Sequence, residues 1–263
     1  MSFNILYGTA NDGDNHWDNR CQLVAETIRD AAPDLLGLQE VLDFQATYLQ
    51  EQLTGYEFHG AGRDDGKTKG EFAPVMFRSE RFQLIESGHF WLSESPDVPG
   101  SKSWDAALPR MASWVCLKDL NHADQEILFL NTHFDHRGVL AREQAAKLIH
   151  EKLTMLAQEN TAVIVCGDFN TTEDDVPYQS MVFAGKDPGT LVLIDSYREK
   201  HPTRSEKEAT FNGWNGNQTG SRIDWILHSH HFQTTAAEII QDNNDGRYPS
   251  DHYPVISTLH QRK

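Results

Sequence analysis

The sequence predicts an α/β fold of four layers: two packed, mainly antiparallel β-sheets flanked by helices. Three observations lead there. Apolar runs of strand character recur along the whole chain, amphipathic helical patterns fall between only some of them, and no internal repeat, low-complexity tract or Pro/Gly linker divides the 263 residues. Many strands with few helices are best buried as sheet on sheet with helices outside. The length suits one large domain or two small ones. With no linker, the expectation is a single domain over 1–263.

In chain order, the strand-like runs are Phe3–Gly8, Asp34–Gln39, Pro74–Ser79, Phe82–Ser93, Ser113–Leu120, Glu126–His133, Ala162–Cys166, Arg222–Ser229, Phe232–Ile240 and Val255–Leu259. Several are bounded by Gly, Pro, Asn or Asp, the residues that punctuate strands. Helical spacing places Leu23, Val24, Thr27, Ile28 and Ala31 on one face, with Pro33 as a stop signal just beyond. Leu42, Ala46, Leu49 and Leu53 form a second such face, and Ala145, Leu148, Ile149, Leu153 and Leu156 a third. Glu57–Glu71 and Glu94–Leu108 read as long loops, a length that often serves function.

Composition narrows the class. Hydrophobic residues make up 38% and charged residues 24%, the balance of a soluble globular protein. No run of 18 apolar residues exists, so no membrane span is expected. The first residues read as a strand and not as a leader peptide. Cys21, Cys116 and Cys166 form no CxxC pair; an odd count without spacing suggests reduced thiols and a cytoplasmic setting. A net charge of −16 argues against tight binding of long nucleic acid, which needs a basic surface.

Polar residues cluster where the apolar runs stop: Asn4, Gln39 and Glu40, Glu71, His133, Asp168 and Asn170, Asp224, and Asp251 with His252. Strand ends converging on one rim would build a cleft rich in carboxylate and imidazole. Carboxylate and amide oxygens are hard ligands, so Mg²⁺ or Mn²⁺ suits them better than Zn²⁺. Each residue alone has a plainer explanation. Asn4 serves equally as a strand-end hydrogen-bonder, Asp168 and Asn170 as an Asx turn, and Arg222 with Asp224 as a cross-strand pair. The functional signal is their joint occurrence in this order.

That order resembles the endonuclease/exonuclease/phosphatase superfamily, also called DNase I-like. The motifs are Phe3-Asn4-Ile5, Pro33 to Glu40, Asn131-Thr132-His133, Gly167-Asp168-Phe169-Asn170, Arg222-Ile223-Asp224-Trp225 and Ser250 to Val255. Members include DNases, abasic-site endonucleases, deadenylases, sphingomyelinases, inositol-polyphosphate phosphatases and tyrosyl-DNA phosphodiesterases, so the fold alone does not fix a substrate. The resemblance implies a metal held by Glu40 with Asn4 and Asp251 beside it. It implies Asp168 for the attacking water and Asn170 on a phosphate oxygen. His252 would contact the phosphate, oriented by Asp224, and His133 would lie across the scissile bond with Glu71 as its carboxylate partner. A carboxylate beside each imidazole would favour its charged form.

Further segments resemble a bacterial branch with no firm substrate: Asn15-His16-Trp17 with Arg20, Gly62 to Gly66, Phe90 to Glu94, His133 to Gly138 and Thr210-Phe211-Asn212-Gly213-Trp214. Arg63, Arg110, Arg137 and Arg142 are the basic residues best placed to meet a phosphate, and surface ion pairs are their alternative. Trp91, Trp104, Phe211 and Trp214 are candidates for stacking on a base or sugar, or for the core. The run His228-Ser229-His230-His231 suggests a metal site but lacks a carboxylate, so a solvated turn is expected. The expected activity is Mg²⁺-dependent hydrolysis of a small or short phosphodiester of unknown identity. The alternatives are a nuclease on DNA or RNA and a non-catalytic binding module.

Overall fold

In the computed structural model, which describes residues 1–122, 125–158, 160–182 and 191–262, twelve strands form two six-stranded sheets. Among the described residues the strands and α-helices are β1 (Ser2–Asn4), α1 (Trp17–Ala31), β2 (Leu35–Gln39), α2 (Asp43–Gln52), β3 (Tyr56–His59), β4 (Val75–Arg78), β5 (Phe82–Trp91) and β6 (Met111–Asp119). They continue with β7 (Glu126–His133), α3 (Val139–Leu156), β8 (Ala162–Asp168), α4 (Val176–Val182), β9 (Leu193–Asp195), α5 (Ser196–Lys200), β10 (Asp224–Ser229), β11 (Phe232–Ile239) and β12 (Val255–Gln261). The first sheet runs β11-β12-β1-β2-β4-β3 and the second β5-β6-β7-β8-β10-β9. Pairing is antiparallel except for β1 with β2 and β7 with β8.

Side chains alternate across each strand and sort into the layers. On β7, Ile127 and Phe129 face the other sheet, while Leu128 and Leu130 face α3. On β8, Ile164 and Cys166 point inward and Val163 and Val165 outward. Val24, Ala25 and Ile28 of α1, with Ala46 and Leu49 of α2, cover the first sheet. Ala145, Ala146, Ile149 and Leu153 of α3 cover the second, with Tyr178 and Met181 of α4. The four-layer expectation therefore holds. Pro33 does follow the end of α1, where Ala32 takes a left-handed cap at φ 45°.

A polar staple joins the sheets inside the apolar layer. Asn131 of β7 donates from Nδ2 to the carbonyls of Leu38 (2.6 Å) and Pro74 (2.8 Å), and its Oδ1 accepts from Gln39 Nε2 (2.6 Å). The sheets come so close here that a Cβ on Gly37 would lie 2.3 Å from Cys166 Sγ.

Some short elements depart from expectation. The stretch from Glu57 begins inside β3, which pairs with β4; Glu57 and His59 hid it, because a four-residue edge strand with polar side chains carries little periodic signal. β9, α4 and α5 are likewise too short to show a period. The stretch from Glu94 to Leu108 is a loop of turns, as expected.

Candidate active site

Strand register assembles the site. His133 ends β7 level with Asp168 at the end of β8, and Asp168 pairs with Asp224 at the start of β10. Three chemically active side chains thus stand in one row. In the facing sheet Asn4 ends β1 level with Gln39, which puts Glu40 one residue past the end of β2. Close packing holds the row: a Cβ on Gly167 would lie 2.2 Å from the Thr132 carbonyl. Behind it, Phe169 stacks on Trp225 at 4.5 Å and meets Phe134 edge-on at 5.0 Å.

The two sheets meet at Asn4. Its Nδ2 donates to Glu40 Oε1 (3.0 Å) and to Asp168 Oδ2 (3.0 Å). Its Oδ1 accepts from the Leu6 N–H (3.0 Å). A backbone N–H can only donate, so this contact fixes which end of the amide carries oxygen. Asn4 thus ties two carboxylates together with its amide hydrogens. Glu40 and Asn170 both adopt left-handed backbone, at φ 61° and 48°. Such strain is costly for Glu and persists where the surroundings enforce it, as functional sites do.

His252 is the cationic member. Its Nδ1 donates to Asp224 Oδ2 at 3.0 Å, and its Nε2 lies 3.8 Å from Asp168 Oδ2. Burial opposes the charge, but Asp224 and then Asp168 outweigh it and raise the imidazolium to about 10. Burial and the neighbouring Asp224 push the Asp168 carboxyl upward, against His252 and hydrogen bonds from Asn170 and Asn4. Asp251 is raised by burial and by Glu40. Asp168, Asp224 and His252 bring ligand atoms within 4.8 Å of one another, the one such group among the described residues. Because His252 spends its Nδ1 on Asp224, this group reads first as a charged dyad beside a carboxylate.

His133 is the opposite case, and two expectations are corrected. Glu71 is not its partner: both Glu71 oxygens are taken by Arg63, at 2.5 and 2.8 Å. His133 Nδ1 instead faces Arg110 Nη1 at 2.9 Å, and its Nε2 lies 3.0 Å from Asn170 Nδ2 and 3.4 Å from Asp168 Oδ2. Burial and then the Arg110 and Arg63 charges hold its pKa well below the ordinary value, which favours the neutral imidazole. The two imidazoles of one rim are thus pushed in opposite directions.

The arginine candidates divide. Arg63 and Arg110 are buried, with Arg63 on Glu71 and Arg110 on the His133 and His136 imidazoles. Arg137 is exposed, with its backbone N–H on Asp135 Oδ1 at 2.9 Å. Arg142 donates to the Asp135 carbonyl at 3.0 Å. Arg222 does not pair with Asp224; it is buried against Glu173 (2.5 Å) and Asp195 (2.6 Å). Of the aromatic candidates, Trp91 is buried, with Nε1 on the Arg63 carbonyl at 2.6 Å. Trp104 is partly buried at a left-handed φ of 56°. Trp214 lies over Arg20 at 5.5 Å, while exposed Phe211 meets His252 edge-on at 5.2 Å. The histidine run is no solvated turn throughout: His228 is fully buried, with Nε2 3.1 Å from Glu199 Oε2 and 2.9 Å from Thr234 Oγ1.

The sequence left several supporting residues without a role. Thr210 Oγ1 accepts from the N–H groups of Ile223 (3.0 Å) and Asp224 (3.2 Å). Asn212 donates from its backbone to the Asp251 carbonyl (2.7 Å) and from Nδ2 to the Ser250 carbonyl (3.0 Å). The Thr210–Trp214 motif is thus the bracket for Asp224, Asp251 and His252. Arg20 donates to the carbonyls of Ile5, Leu6, Asn15 and Pro249 and sits between Trp17 and Trp214. It clamps the end of β1 to the approach to Asp251. Its position on an amphipathic helix disguised it as a surface residue.

A two-sheet sandwich flanked by helices, with carboxylates and imidazoles on one rim, is the build of the DNase I-like fold. The sequence matches the Endonuclease/Exonuclease/phosphatase family over residues 1–252, and the chain belongs to that family. It is similar in structure to an endonuclease/exonuclease/phosphatase from Bacteroides vulgatus, with 33% identity, TM-score 0.89, and 99% of this chain and 97% of that one covered. A mannosyl-6-phosphatase of Bacteroides thetaiotaomicron is 36% identical, with TM-score 0.87 and 98% of each chain covered. Rat nocturnin is 24% identical over 97% of this chain. The matched region is 62% of nocturnin's length and 27% of an uncharacterised mimivirus protein's. No helix among the described residues is long and apolar enough to cross a membrane.

Proposed function

We propose that the protein is a Mg²⁺- or Mn²⁺-dependent phosphoesterase that uses water to cut a P–O bond in a small phosphoester. The observation that carries this reading is the Asn4 bridge, which draws Glu40 and Asp168 from different sheets onto one amide, beside the Asp224–His252 pair. The donors suit a hard cation. Glu40, Asp168 and Asp251 offer only oxygens, and Asp168 and Asp251 are raised by burial and by neighbouring carboxylates, a crowding that a divalent ion relieves. Glu40 and Asp251 would hold the ion, with Asn4 and Asp168 alongside. A bound divalent ion supplies Lewis-acid neutralisation of phosphoryl charge.

The chain's own residues do the rest. Asp168, held by the Asn170 N–H at 2.9 Å, orients the attacking water and takes its proton. His252 brings positive charge to the phosphoryl oxygens, where negative charge grows in the transition state. Asn170 donates to one of those oxygens. Exposed Arg137 is the basic residue left to reach the rest of the substrate. A small substrate is favoured by the net charge of −16 and by the likeness to the mannosyl-6-phosphatase, which extends the candidates from short diesters to sugar phosphate monoesters. Exposed Phe211 beside His252 gives an apolar wall for a sugar or base. The test is a hydrolysis panel with Mg²⁺ or Mn²⁺ covering sugar phosphates, nitrophenyl mono- and diesters, dinucleotides, poly(A) and DNA. Faster turnover of the small esters is expected; preference for long polynucleotides would replace this reading with a nuclease.

A further inference from the structure

Arg110 precedes β6 and lies behind His133, buried among charges the proposed chemistry has not used. Its Nη1 is 2.9 Å from His133 Nδ1, and its Nη2 is 3.2 Å from His136 Nδ1. Glu71 stands 3.7 Å from Nη1 but is held on both oxygens by Arg63. Asp135 lies 3.9 Å from Nε, and its oxygens are occupied by the N–H groups of Ala107, Leu108, Arg137 and Gly138. One guanidinium therefore spans two imidazoles.

A guanidinium carries only donors and keeps its proton in proteins. Each imidazole nitrogen that faces it must accept. A neutral imidazole that accepts at Nδ1 carries its hydrogen at Nε2. An imidazolium would turn an N–H against an N–H at either contact. We propose that Arg110 is a positioning residue that fixes His133 and His136 in the Nε2–H tautomer, so that His133 meets the phosphoryl group as a neutral hydrogen-bond donor. The identity of that acceptor rests on the function proposed above; the tautomer does not.

The surroundings of His133 Nε2 supply a further donor. Its Nε2 faces Asn170 Nδ2 at 3.0 Å, and Asn170 also donates from Nδ2 to the Phe134 carbonyl at 3.1 Å. Turning the Asn170 amide would set its oxygen against that carbonyl. With hydrogen on His133 Nε2, two donors converge on one point, and only Asp168 Oδ2, at 3.4 Å, gives partial relief. A phosphoryl oxygen at that point accepts from both. Converging donors prepared before the substrate arrives need no reorganisation in the transition state. His136 is exposed next to Arg137, so the same clamp aims its Nε2–H outward at the rim, toward whatever the phosphate is attached to.

The test reads the tautomer directly. Long-range ¹H–¹⁵N correlation spectra of the wild-type protein near neutral pH, without and with Mg²⁺, assigned through His133→Gln and His136→Gln, report which nitrogen holds hydrogen. Unprotonated Nδ1 and protonated Nε2 are expected on both rings; hydrogen on His133 Nδ1 overturns the proposal whatever any variant does. Arg110→Lys keeps the charge but cannot span both imidazoles. It should give His133 a mixed tautomer signature and lower kcat about 10- to 100-fold, the scale of a disturbed oxyanion donor, with KM within a few-fold. An Arg110→Lys protein with the wild-type signature and kcat also overturns it. If the spectra come out as expected while no phosphoester is turned over, the proposed function fails and the positioning role stands.

Discussion

Asp224→Asn isolates the charge that His252 depends on. The Nδ1–Oδ2 hydrogen bond is 3.0 Å long, and both residues are buried, with Asp224 1% and His252 6% exposed. A hydrogen bond to a charged group contributes roughly 1.5–3 kcal/mol, and the amide keeps the shape but not the charge. At about 1.4 kcal/mol per factor of ten, Asp224→Asn should lower kcat about 10- to 100-fold. His252→Ala removes the donor itself and should lower kcat about 10²- to 10⁴-fold. Since Asp224 acts through His252, the double variant should fall within a few-fold of His252→Ala. Steady-state kinetics on the best small phosphoester, at saturating Mg²⁺, supply all four rates. Fully additive losses would show that the two residues act separately, and wild-type turnover by His252→Ala would remove it from the mechanism.

Glu40→Gln should weaken Mg²⁺ binding in calorimetry and cut turnover sharply, because it removes an ionic ligand and keeps its shape; unchanged affinity with normal activity would remove Glu40 from the metal site. Turnover of a small substrate should depend weakly on NaCl, since few counterions are released on binding; a steep loss of affinity for a polynucleotide would point to an extended phosphate track. Asp135, with four backbone N–H groups on its carboxylate, should cost about 2–4 kcal/mol in urea denaturation when changed to Asn, whose NH₂ would face two of those donors. Burial alone would raise the Asp135 carboxyl, but those bonds hold it at about 2. A depressed carboxylate contributes its full stability above the unfolded pKa, about 3.9. The contribution is then lost as pH falls toward about 2. The wild-type advantage over Asp135→Asn should therefore be flat at neutral pH and shrink below about pH 4; an advantage growing with acid would contradict this.

The parts of the site legible in the sequence are those that strands deliver. The runs that become β7 and β8 are apolar through Leu130 and Cys166, their strands end at His133 and Asp168, and parallel pairing brings those ends level. The same holds for Asn4 and Gln39 in the other sheet. What a side chain does after its strand ends was not legible. Glu71 reads as a partner for His133 until the turn between Gly62 and Gly70 folds, with Gly62 N–H on the Lys67 carbonyl and Arg63 N–H on the Glu71 carbonyl, and delivers Arg63 to it. Asn4 reads as a neighbour of a metal, and nothing in its strand shows that its amide hydrogens go to Glu40 and Asp168. His228 reads as part of a polar run, but period-two alternation in β10 turns it inward, where Glu199 and Thr234 meet it. Each miss lies in a hydrogen bond that no periodicity encodes.

Hydrolysis in ¹⁸O-labelled water tests the central claim most directly. With Mg²⁺ present and a small phosphoester as substrate, attack of water on phosphorus puts the label in the released phosphate, and chelation of the metal stops the release. Label in the alcohol product, or release that continues at full rate after chelation, would contradict metal-dependent cleavage of the P–O bond at this rim.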